Sequence, residues 1–303
     1  MDTKSKIILI FGPTASGKSN FAIKVAKKID GEIVNADSMQ IYNQLNILTA
    51  RPKKKDEKKI KHHLYGFQSV TKKFSTGVWL KRAVRKIREI QEREKTPILV
   101  GGTGLYFKSI TEGLVKIPNI PLRFRNKIRS LQKKIGQKKF YQNLIKVDPL
   151  VKNHINPNDV QRTIRAFEIK KFTKKSITHW FKKTKILFNP KDFIKIYIDF
   201  PREKLVVRIK ERVEQMFKEG AILEVKKFNK LKVKKDNTSK KIIGIEEIGK
   251  FLEGKINLTE AKETIFIKTR QYAKRQSTWA RGQMSSWHKI DPKKLNLTLK
   301  KLK

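Results

Sequence analysis

The eight residues Gly12-Pro13-Thr14-Ala15-Ser16-Gly17-Lys18-Ser19 decide how this chain folds. They follow an apolar run at residues 7–11 and precede an amphipathic segment at residues 20–29, which is the order strand, loop, helix. Backbone N–H groups of such a loop converge with the positive end of the next helix and form a concave anion site. Lys18 adds a mobile cation, and the Ser19 hydroxyl is placed to join the coordination shell of Mg²⁺. The stretch predicts a phosphate site, with a glycine-rich turn that binds nothing as the alternative.

Two further strand candidates lead into polar or glycine-rich segments. Residues 32–36 end at Asp37, and residues 96–100 end at Gly101-Gly102-Thr103-Gly104. Because the carboxyl ends of parallel strands share one edge of a sheet, both exits should open on the crevice of the phosphate loop. There Asp37 could hold Mg²⁺ through water or act as a general base, or it could cap the next helix. The glycines predict that a ligand approaches the backbone closely, with Thr103 facing the phosphates.

The composition points to a polyanionic partner. The chain has 303 residues with 73 Lys+Arg and 27 Asp+Glu, which gives a formal net charge of 73 − 27 = +46. Nucleic acid is the natural partner of such a charge, although solvated basic faces explain part of the excess. The chain has no cysteine, and it has no apolar run near the ~20 residues that span a bilayer. We expect a cytoplasmic protein that does not bind a membrane.

The middle of the chain differs in character from both ends. Residues 113–190 lack strand patterns, contain several prolines and read as basic helices, which predicts an inserted helical subdomain. Residues 1–112 and 191–303 would form an α/β core of the P-loop NTPase type, a parallel sheet flanked by helices. In the insert, Arg162 and Arg165 lie one turn apart, which suits phosphate contacts but is also typical of a solvated helix face.

Two later segments add candidate phosphate and RNA contacts. Residues 193–198 read as a further strand, and the helix after Pro201 carries Arg208 and Arg212 on one face, one of which could reach the phosphate crevice. Residues 269–281 mix four cations with two aromatic side chains over about three and a half turns. Cations that hold a phosphate backbone and aromatics that accept unstacked bases favour RNA over duplex DNA. The alternative is a C-terminal helix whose aromatic side chains pack inward.

Four segments resemble the motifs of one enzyme family, the bacterial tRNA dimethylallyltransferases. They are Asp37-Ser38-Met39-Gln40-Ile41-Tyr42, Gly101-Gly102-Thr103-Gly104-Leu105-Tyr106-Phe107-Lys108, Asn156-Pro157-Asn158-Asp159-Val160-Gln161-Arg162 and Thr269-Arg270-Gln271-Tyr272-Ala273-Lys274-Arg275-Gln276. The phosphate loop is common to many NTPases, whereas these four segments in this order are specific. The resemblance extends over nearly the whole chain.

The resemblance implies a reaction and a set of roles. The family transfers a dimethylallyl group from dimethylallyl diphosphate to N6 of the adenosine 3′-adjacent to the anticodon, in tRNAs that read codons starting with U. Asp37 would be the general base and Thr103 would lie near the breaking C–O bond. The phosphate loop and Arg212 would hold the diphosphate with Mg²⁺ at Ser19.

The family's tRNA contacts map onto further residues of this chain, and the enzyme would act as a monomer on the anticodon stem-loop. The residues that would contact tRNA, besides Asp37 and Thr103, are Ser38, Met39, Gln40, Arg125, Gln161, Arg162, Thr163, Ile164, Arg165, Lys241, Gly244, Lys274, Arg275, Gln276, Trp279 and Arg281.

Two other functions fit the same residues. In a P-loop kinase or an RNA-stimulated ATPase, Asp37 would serve Mg²⁺ and the basic regions would only bind RNA. An RNA-binding module with a degenerate loop would bind tRNA without turnover of any phosphate donor.

Overall fold

The computed structural model describes residues 3, 5–53, 58, 60–181 and 184–301, which form two compact units. One unit comprises Met1–Thr111 and Phe188–Lys303, and the other comprises Glu112–Leu187.

The first unit is built on a six-stranded sheet in which every pair of neighbouring strands is parallel. The strands are β1 (Ile7–Phe11), β2 (Gly31–Asn35), β3 (His62–His63), β4 (Thr96–Gly101), β5 (Phe193–Ile198) and β6 (His288–Ile290). Their order across the sheet is β3-β2-β4-β1-β5-β6. The predicted α/β fold with a parallel sheet is confirmed. The sequence patterns indicated the four longer strands and missed β3 and β6, which have two and three residues and lie at the sheet edges.

The described residues form the following helices in the two units. They are α1 (Lys18–Lys28), α2 (Thr76–Gln91), α3 (Gly104–Thr111), α4 (Leu122–Val147), α5 (Val160–Thr173), α6 (Ile177–Phe181), α7 (Arg202–Lys218), α8 (Ala221–Asn229), α9 (Ile245–Leu252), α10 (Leu258–Gln283) and α11 (Leu295–Lys301). Of these, α4, α5 and α6 belong to the second unit.

Burial of one helix face explains how the first unit holds together. Helix α1 buries Phe21, Ala22 and Val25 in a cluster with apolar side chains of the central strands, among them Ile10 and Ile98. Burial of apolar area at about 25 cal/mol per Å² is the main favourable contribution to such packing. The sheet is thereby fixed, and the loops after β1, β2, β4 and β5 leave it along one edge, because parallel strands end on the same side.

The second unit consists of helices around a core of its own. Helix α4 is interrupted at Gly136, whose φ of 74° and ψ of 166° are not helical. Phe140, Leu144 and Phe167 are buried at the contact between α4 and α5. Strands are absent from the residues that the structure describes in this unit.

Within the described ranges, the longest and most apolar helices still fall short of what a membrane-spanning helix requires.

The close approach of the ends of β2 and β4 can be tested by measuring the free energy of unfolding of glycine variants. A Cβ on Gly101 would lie 2.1 Å from the Ala36 carbonyl oxygen, whereas a Cβ on Gly249 in α9 meets nothing within 4 Å. Gly101→Ala should therefore lower the free energy of unfolding by about 1–3 kcal/mol, because the backbone must shift. Gly249→Ala should be neutral or stabilising by up to about 1 kcal/mol, because alanine favours a helix. Denaturant unfolding measures both, and equal effects would contradict the described contact.

Candidate active site

The loop between β1 and α1 turns sharply into the helix. Ala15 and Gly17 have positive φ angles of 62° and 83°, and Gly17 immediately precedes the helix. Glycine adopts this region without a steric penalty. The Lys18 ammonium group folds back and donates to the Pro13 carbonyl oxygen at 3.1 Å. The loop thus brings the unpaired N–H groups at the start of α1 close to a lysine ammonium group.

Two arginines of α7 lie beside this loop. Arg212 donates from Nη1 to the Thr14 hydroxyl at 3.0 Å. The Arg208 guanidinium lies over the Phe200 ring at 5.0 Å, and a Cβ on Gly17 would be 3.5 Å from both of its terminal nitrogens. The sequence predicted that one of the two would reach the loop, and the structure brings both there.

Burial destabilises the charged forms of Lys18 and Arg212. It lowers the pKa of Lys18 to about 8; the charge of Asp37 opposes that shift, and the charge of Arg212 adds to it. Burial also lowers the pKa of Arg212 from its usual value, again against the attraction of Asp37. Because desolvated cations gain most from an opposite charge, the site favours an anionic ligand.

The backbone around Asp37 is held by the residue two positions earlier. The Asn35 side chain accepts from the Asp37 N–H at 2.8 Å and donates to the Asp37 carbonyl at 3.0 Å. The Asp37 Oδ1 accepts from the Met39 N–H at 2.9 Å. The described residues that follow form turns and not a helix, so the alternative that Asp37 caps a helix is wrong. Since Oδ1 is engaged, Oδ2 is the oxygen that can take a proton from a ligand.

Asp37 opens on a cavity of about 270 Å³ together with Thr14 and Arg212. The opposite wall is formed by α10, which contributes Tyr272 and Arg275. Burial and the charge of Asp37 raise the pKa of the Tyr272 hydroxyl, so this group stays a neutral donor at physiological pH. The cavity therefore joins a carboxylate to cations beside the phosphate loop.

Thr103 links the segments that follow β2 and β4 by hydrogen bonds. Its N–H donates to the Ala36 carbonyl at 3.2 Å. Its hydroxyl accepts from the Ser38 N–H at 2.9 Å and donates to the Ser38 hydroxyl at 3.1 Å. The structure thus brings Thr103 to the segment that carries Asp37.

The glycines beside Thr103 lie against other parts of the protein. A Cβ on Gly101 would meet the Ala36 backbone, one on Gly102 would lie 2.1 Å from the Gln276 amide nitrogen, and one on Gly104 would lie 2.3 Å from the Trp279 ring. Protein atoms fill the space at all three positions. The glycines allow α10 to pack closely on the turn.

Two residues of α10 that were expected to contact tRNA are instead part of this packing. Gln276 is buried, accepts from the Thr14 N–H at 2.8 Å and donates to the Gly102 carbonyl at 2.9 Å. Trp279 is half-buried and packs against Phe11, with ring centroids 6.0 Å apart. Gln276 therefore joins the phosphate loop to the glycine turn, and Trp279 follows the inward-packing alternative.

Three cations of α10 that were predicted to contact RNA lie on two faces of the helix. Arg275 lines the Asp37 cavity, whereas Lys274 and Arg281 line a second cavity of about 780 Å³ beside the start of α7. The sequence grouped all three as RNA contacts. The helical period separates them, since residues one turn apart share a face and adjacent residues do not.

Other candidates of the first unit lie close to Asp37 or support its neighbours. Met39 and Lys241 line the same cavity. The Gln40 side chain donates to the Thr49 carbonyl at 2.9 Å. Gly244 precedes α9 with a φ of 106°, and its N–H donates to Glu247 at 2.7 Å. Gln40 and Gly244 thus shape the wall of the cavity.

In the second unit, α5 separates the predicted RNA contacts by exposure. Gln161 and Arg162 are exposed, and Arg125 and Arg165 are about one-third exposed. Thr163 and Ile164 are buried, and the Thr163 hydroxyl donates to the Asp159 carbonyl at 2.7 Å. The expectation that these two side chains contact tRNA is wrong, because they face the core of the unit.

Asn35 is a residue that the sequence analysis missed. It is fully buried at the end of β2, and such a residue needs hydrogen-bond partners, which here include Leu64 and Asp37. The sequence signal was a buried amide side chain two residues before Asp37.

The described residues contain no group of three or more acidic or histidine side chains that could hold a metal ion. Mg²⁺ usually keeps several waters and binds one or two carboxylates together with phosphate oxygens. Ser19, in the first turn of α1, and Asp37, which lines the cavity, could contribute only to that kind of shared site.

Comparisons with known proteins agree on one family. A sequence model of the family described as IPP transferase matches residues 40–283. The tRNA dimethylallyltransferase of Pelagibacter ubique is 61% identical over 303 residues, covering 100% of this chain and 97% of the relative. That of Rickettsia massiliae is 44% identical over 282 residues, covering 93% of this chain and 78% of the relative.

Solved structures give the same result. The tRNA isopentenylpyrophosphate transferase of Bacillus halodurans has a TM-score of 0.71 and 32% identity, covering 98% of this chain and 95% of that one. A eukaryotic dimethylallyltransferase acting on tRNA has a TM-score of 0.82 and 28% identity, covering 95% of this chain and 74% of that one.

The lowered pKa of Lys18 gives a pH test of the anion site. Lys18 is protonated below about pH 8 and loses its charge above it. Affinity for inorganic diphosphate should therefore be highest below pH 8 and fall by up to about tenfold for each pH unit above it. Calorimetric titration between pH 6.5 and 9.5 measures this.

The matched controls for that titration come from the same helix. Lys18→Met should bind diphosphate weakly and without the transition, whereas Lys27→Met, on the exposed side of α1, should keep it. A constant affinity up to pH 9.5 in the unaltered protein would contradict the role of Lys18.

Proposed function

The chain belongs to the IPP transferase family, and from that membership we propose how its residues carry out the reaction. The enzyme transfers a dimethylallyl group to the adenosine immediately 3′ of the tRNA anticodon. We take dimethylallyl diphosphate as the donor, N6 of adenosine as the acceptor, and tRNAs that read codons starting with U as the substrates.

The observation that carries this proposal is the shared cavity of Asp37, Thr14 and Arg212 beside the phosphate loop. A prenyl diphosphate needs cations at its leaving group, and an exocyclic adenine amine needs a base, because its lone pair is delocalised into the ring. This cavity supplies both within one volume.

The proposed reaction is a displacement at the allylic carbon. N6 forms a bond to C1 of the dimethylallyl group while the C–O bond to the diphosphate breaks. Asp37 accepts the proton that N6 loses, and the diphosphate leaves with the electron pair of the C–O bond. Lys18, Arg212 and the N–H groups at the start of α1 stabilise the charge that develops on the diphosphate.

Thr103 and Mg²⁺ complete the proposed leaving-group site. Thr103 would turn its hydroxyl hydrogen from Ser38 to the departing oxygen. Mg²⁺ would bind diphosphate oxygens with Ser19 and supply further charge neutralisation when present.

The adenosine has to leave the anticodon-loop stack to reach Asp37. We propose that Met39, Lys241 and Arg275 meet the extruded nucleotide and its neighbours at the mouth of the cavity. Arg125, Gln161, Arg162 and Arg165 of the second unit, and Lys274 and Arg281 of α10, would contact phosphates of the anticodon stem-loop. We propose that the enzyme acts as a monomer, in the cytoplasm where tRNA is found.

A two-label assay tests the proposed donor. The protein is incubated with Mg²⁺, an unmodified U-codon tRNA and either labelled dimethylallyl diphosphate or labelled ATP. Label should enter RNA only from the prenyl donor. Consumption of ATP that depends on RNA, without label in RNA from the prenyl donor, would favour a kinase or ATPase.

Replacing the proposed base should abolish most of the turnover. Asp37→Ala should lower kcat by roughly 10² to 10⁴, the usual contribution of a general base, and leave the affinity for tRNA near normal. Asp30→Ala is the control, because Asp30 is exposed and pairs with Lys95 at 2.9 Å away from the cavity. An Asp37→Ala enzyme that keeps most of its activity would exclude Asp37 as the base.

The Thr103 hydroxyl should matter for the chemical step. Thr103→Ala should slow single-turnover transfer by roughly tenfold or more, because one donor to the leaving group is lost. Thr103→Ser keeps the hydroxyl and should retain most of the rate. If Thr103→Ala instead weakens tRNA binding and leaves the single-turnover rate unchanged, Thr103 is an RNA contact.

A further inference from the structure

A buried carboxylate in the second unit gathers three arginines. Glu168 of α5 has a side chain that is 1% exposed. Its Oε2 accepts from Arg125 Nε at 3.2 Å and from Arg165 Nη1 at 3.0 Å, and its Oε1 lies 3.5 Å from Arg129 Nε. One glutamate thus links both long helices of the unit, since Arg125 and Arg129 belong to α4.

The side chains of these arginines are partly exposed to solvent. Their side chains are 34%, 37% and 36% exposed in the order Arg125, Arg129 and Arg165. A guanidinium group has five N–H donors in a rigid fork, and Glu168 engages one nitrogen of each arginine. The other donors are left to bind a second anion. The cluster has a net charge of +2, in a segment of residues 112–187 with 20 lysines and arginines and only four acidic residues.

We propose that Glu168 is a positioning residue for tRNA, which holds Arg125, Arg129 and Arg165 as one preformed receptor for neighbouring phosphates of the RNA backbone. The inference rests on the proposed tRNA-binding role of the second unit and adds Arg129 to it. A long arginine loses side-chain entropy when a phosphate fixes it. Glu168 removes most of that loss, because the guanidinium groups are already oriented before RNA binds.

A purely structural role for Glu168 predicts the opposite sign. If Glu168 only neutralised the repulsion among the arginines, its carboxylate would compete with the RNA phosphates. Removal of its charge would then raise the net positive charge and tighten the binding of tRNA. If Glu168 orients the arginines, removal weakens binding although the protein becomes more positive.

The test is Glu168→Gln in the full chain, with filter binding and steady-state kinetics on an unmodified tRNA. Kd and KM for tRNA should rise about tenfold, and the slope of log Kd against log salt should fall by about 1 to 2, because oriented phosphate contacts are lost. The kcat at saturating tRNA and the KM for the prenyl donor should not change. Unchanged or tighter tRNA binding in the folded variant would overturn the proposal.

Glu89→Gln is the matched control. Glu89 also pairs with two cations one turn away, Arg85 at 3.2 Å and Lys86 at 2.6 Å, but on α2 of the first unit. It changes the net charge of the protein by the same amount and should leave the affinity for tRNA unchanged.

Two further sets of variants keep the test decisive. If Glu168→Gln fails to fold, as judged by circular dichroism, Glu168→Asp retains the charge but withdraws it by one methylene, and the same rise in KM is expected. Arg129→Ala should weaken tRNA binding about as much as Arg165→Ala, and more than Lys127→Ala on the exposed face of α4.

The arginine variants also separate this inference from the proposed function. If neither Arg129→Ala nor Arg165→Ala weakens binding, the proposed tRNA-binding role of the second unit fails. If they weaken binding while both Glu168 variants do not, only the positioning role of Glu168 fails.

Discussion

The attraction between Asp37 and the cations at the phosphate loop is the interaction on which the site depends. Lys18 and Arg212 are desolvated, and the charge of Asp37 is the attraction that opposes the fall of their pKa values. In the proposed reaction a diphosphate would supply further negative charge, so the donor would stabilise the same arrangement that reacts with it. Asp37 would then no longer be the main opposite charge for these cations and would be free to accept a proton. The site is thus complementary to a bound anion before the anion arrives.

The sequence predicted the elements that have a strong period or a long apolar run. The four longer strands, the helix after the phosphate loop and the helical insert follow directly from apolar periodicity. The strands β3 and β6 could not be predicted, because two or three residues carry no period and both strands depend on a neighbour already in place. Asp37 and Lys18 could be assigned to one edge since parallel strands end on the same side.

Side-chain direction and long-range packing account for what the sequence could not predict. The glycines at 101, 102 and 104 are the same residues whether a ligand or a helix approaches them, and only the tertiary structure identifies Gln276 and Trp279 as the neighbours. In α5, the predicted contact residues 161–165 are consecutive and lie on different faces of the helix, so the resemblance alone does not separate buried Thr163 from exposed Arg162. The arginines around Glu168 come from two helices that are far apart in the sequence, so no local sequence pattern includes all three.

Helix α2 supports the residue that holds Asp37, the proposed base. The Trp79 indole N–H donates to the Asn35 carbonyl at 2.9 Å, and the Asn35 side chain fixes the backbone of Asp37. Trp79 also stacks on Tyr106, with ring centroids 4.1 Å apart. A natural variant that alters this tryptophan would resemble an active-site lesion in any survey of enzyme function, although the ring never meets a substrate. If Asp37 is the base, as proposed, loss of activity can therefore arise in the hydrophobic interior, through misdirection of one carboxylate.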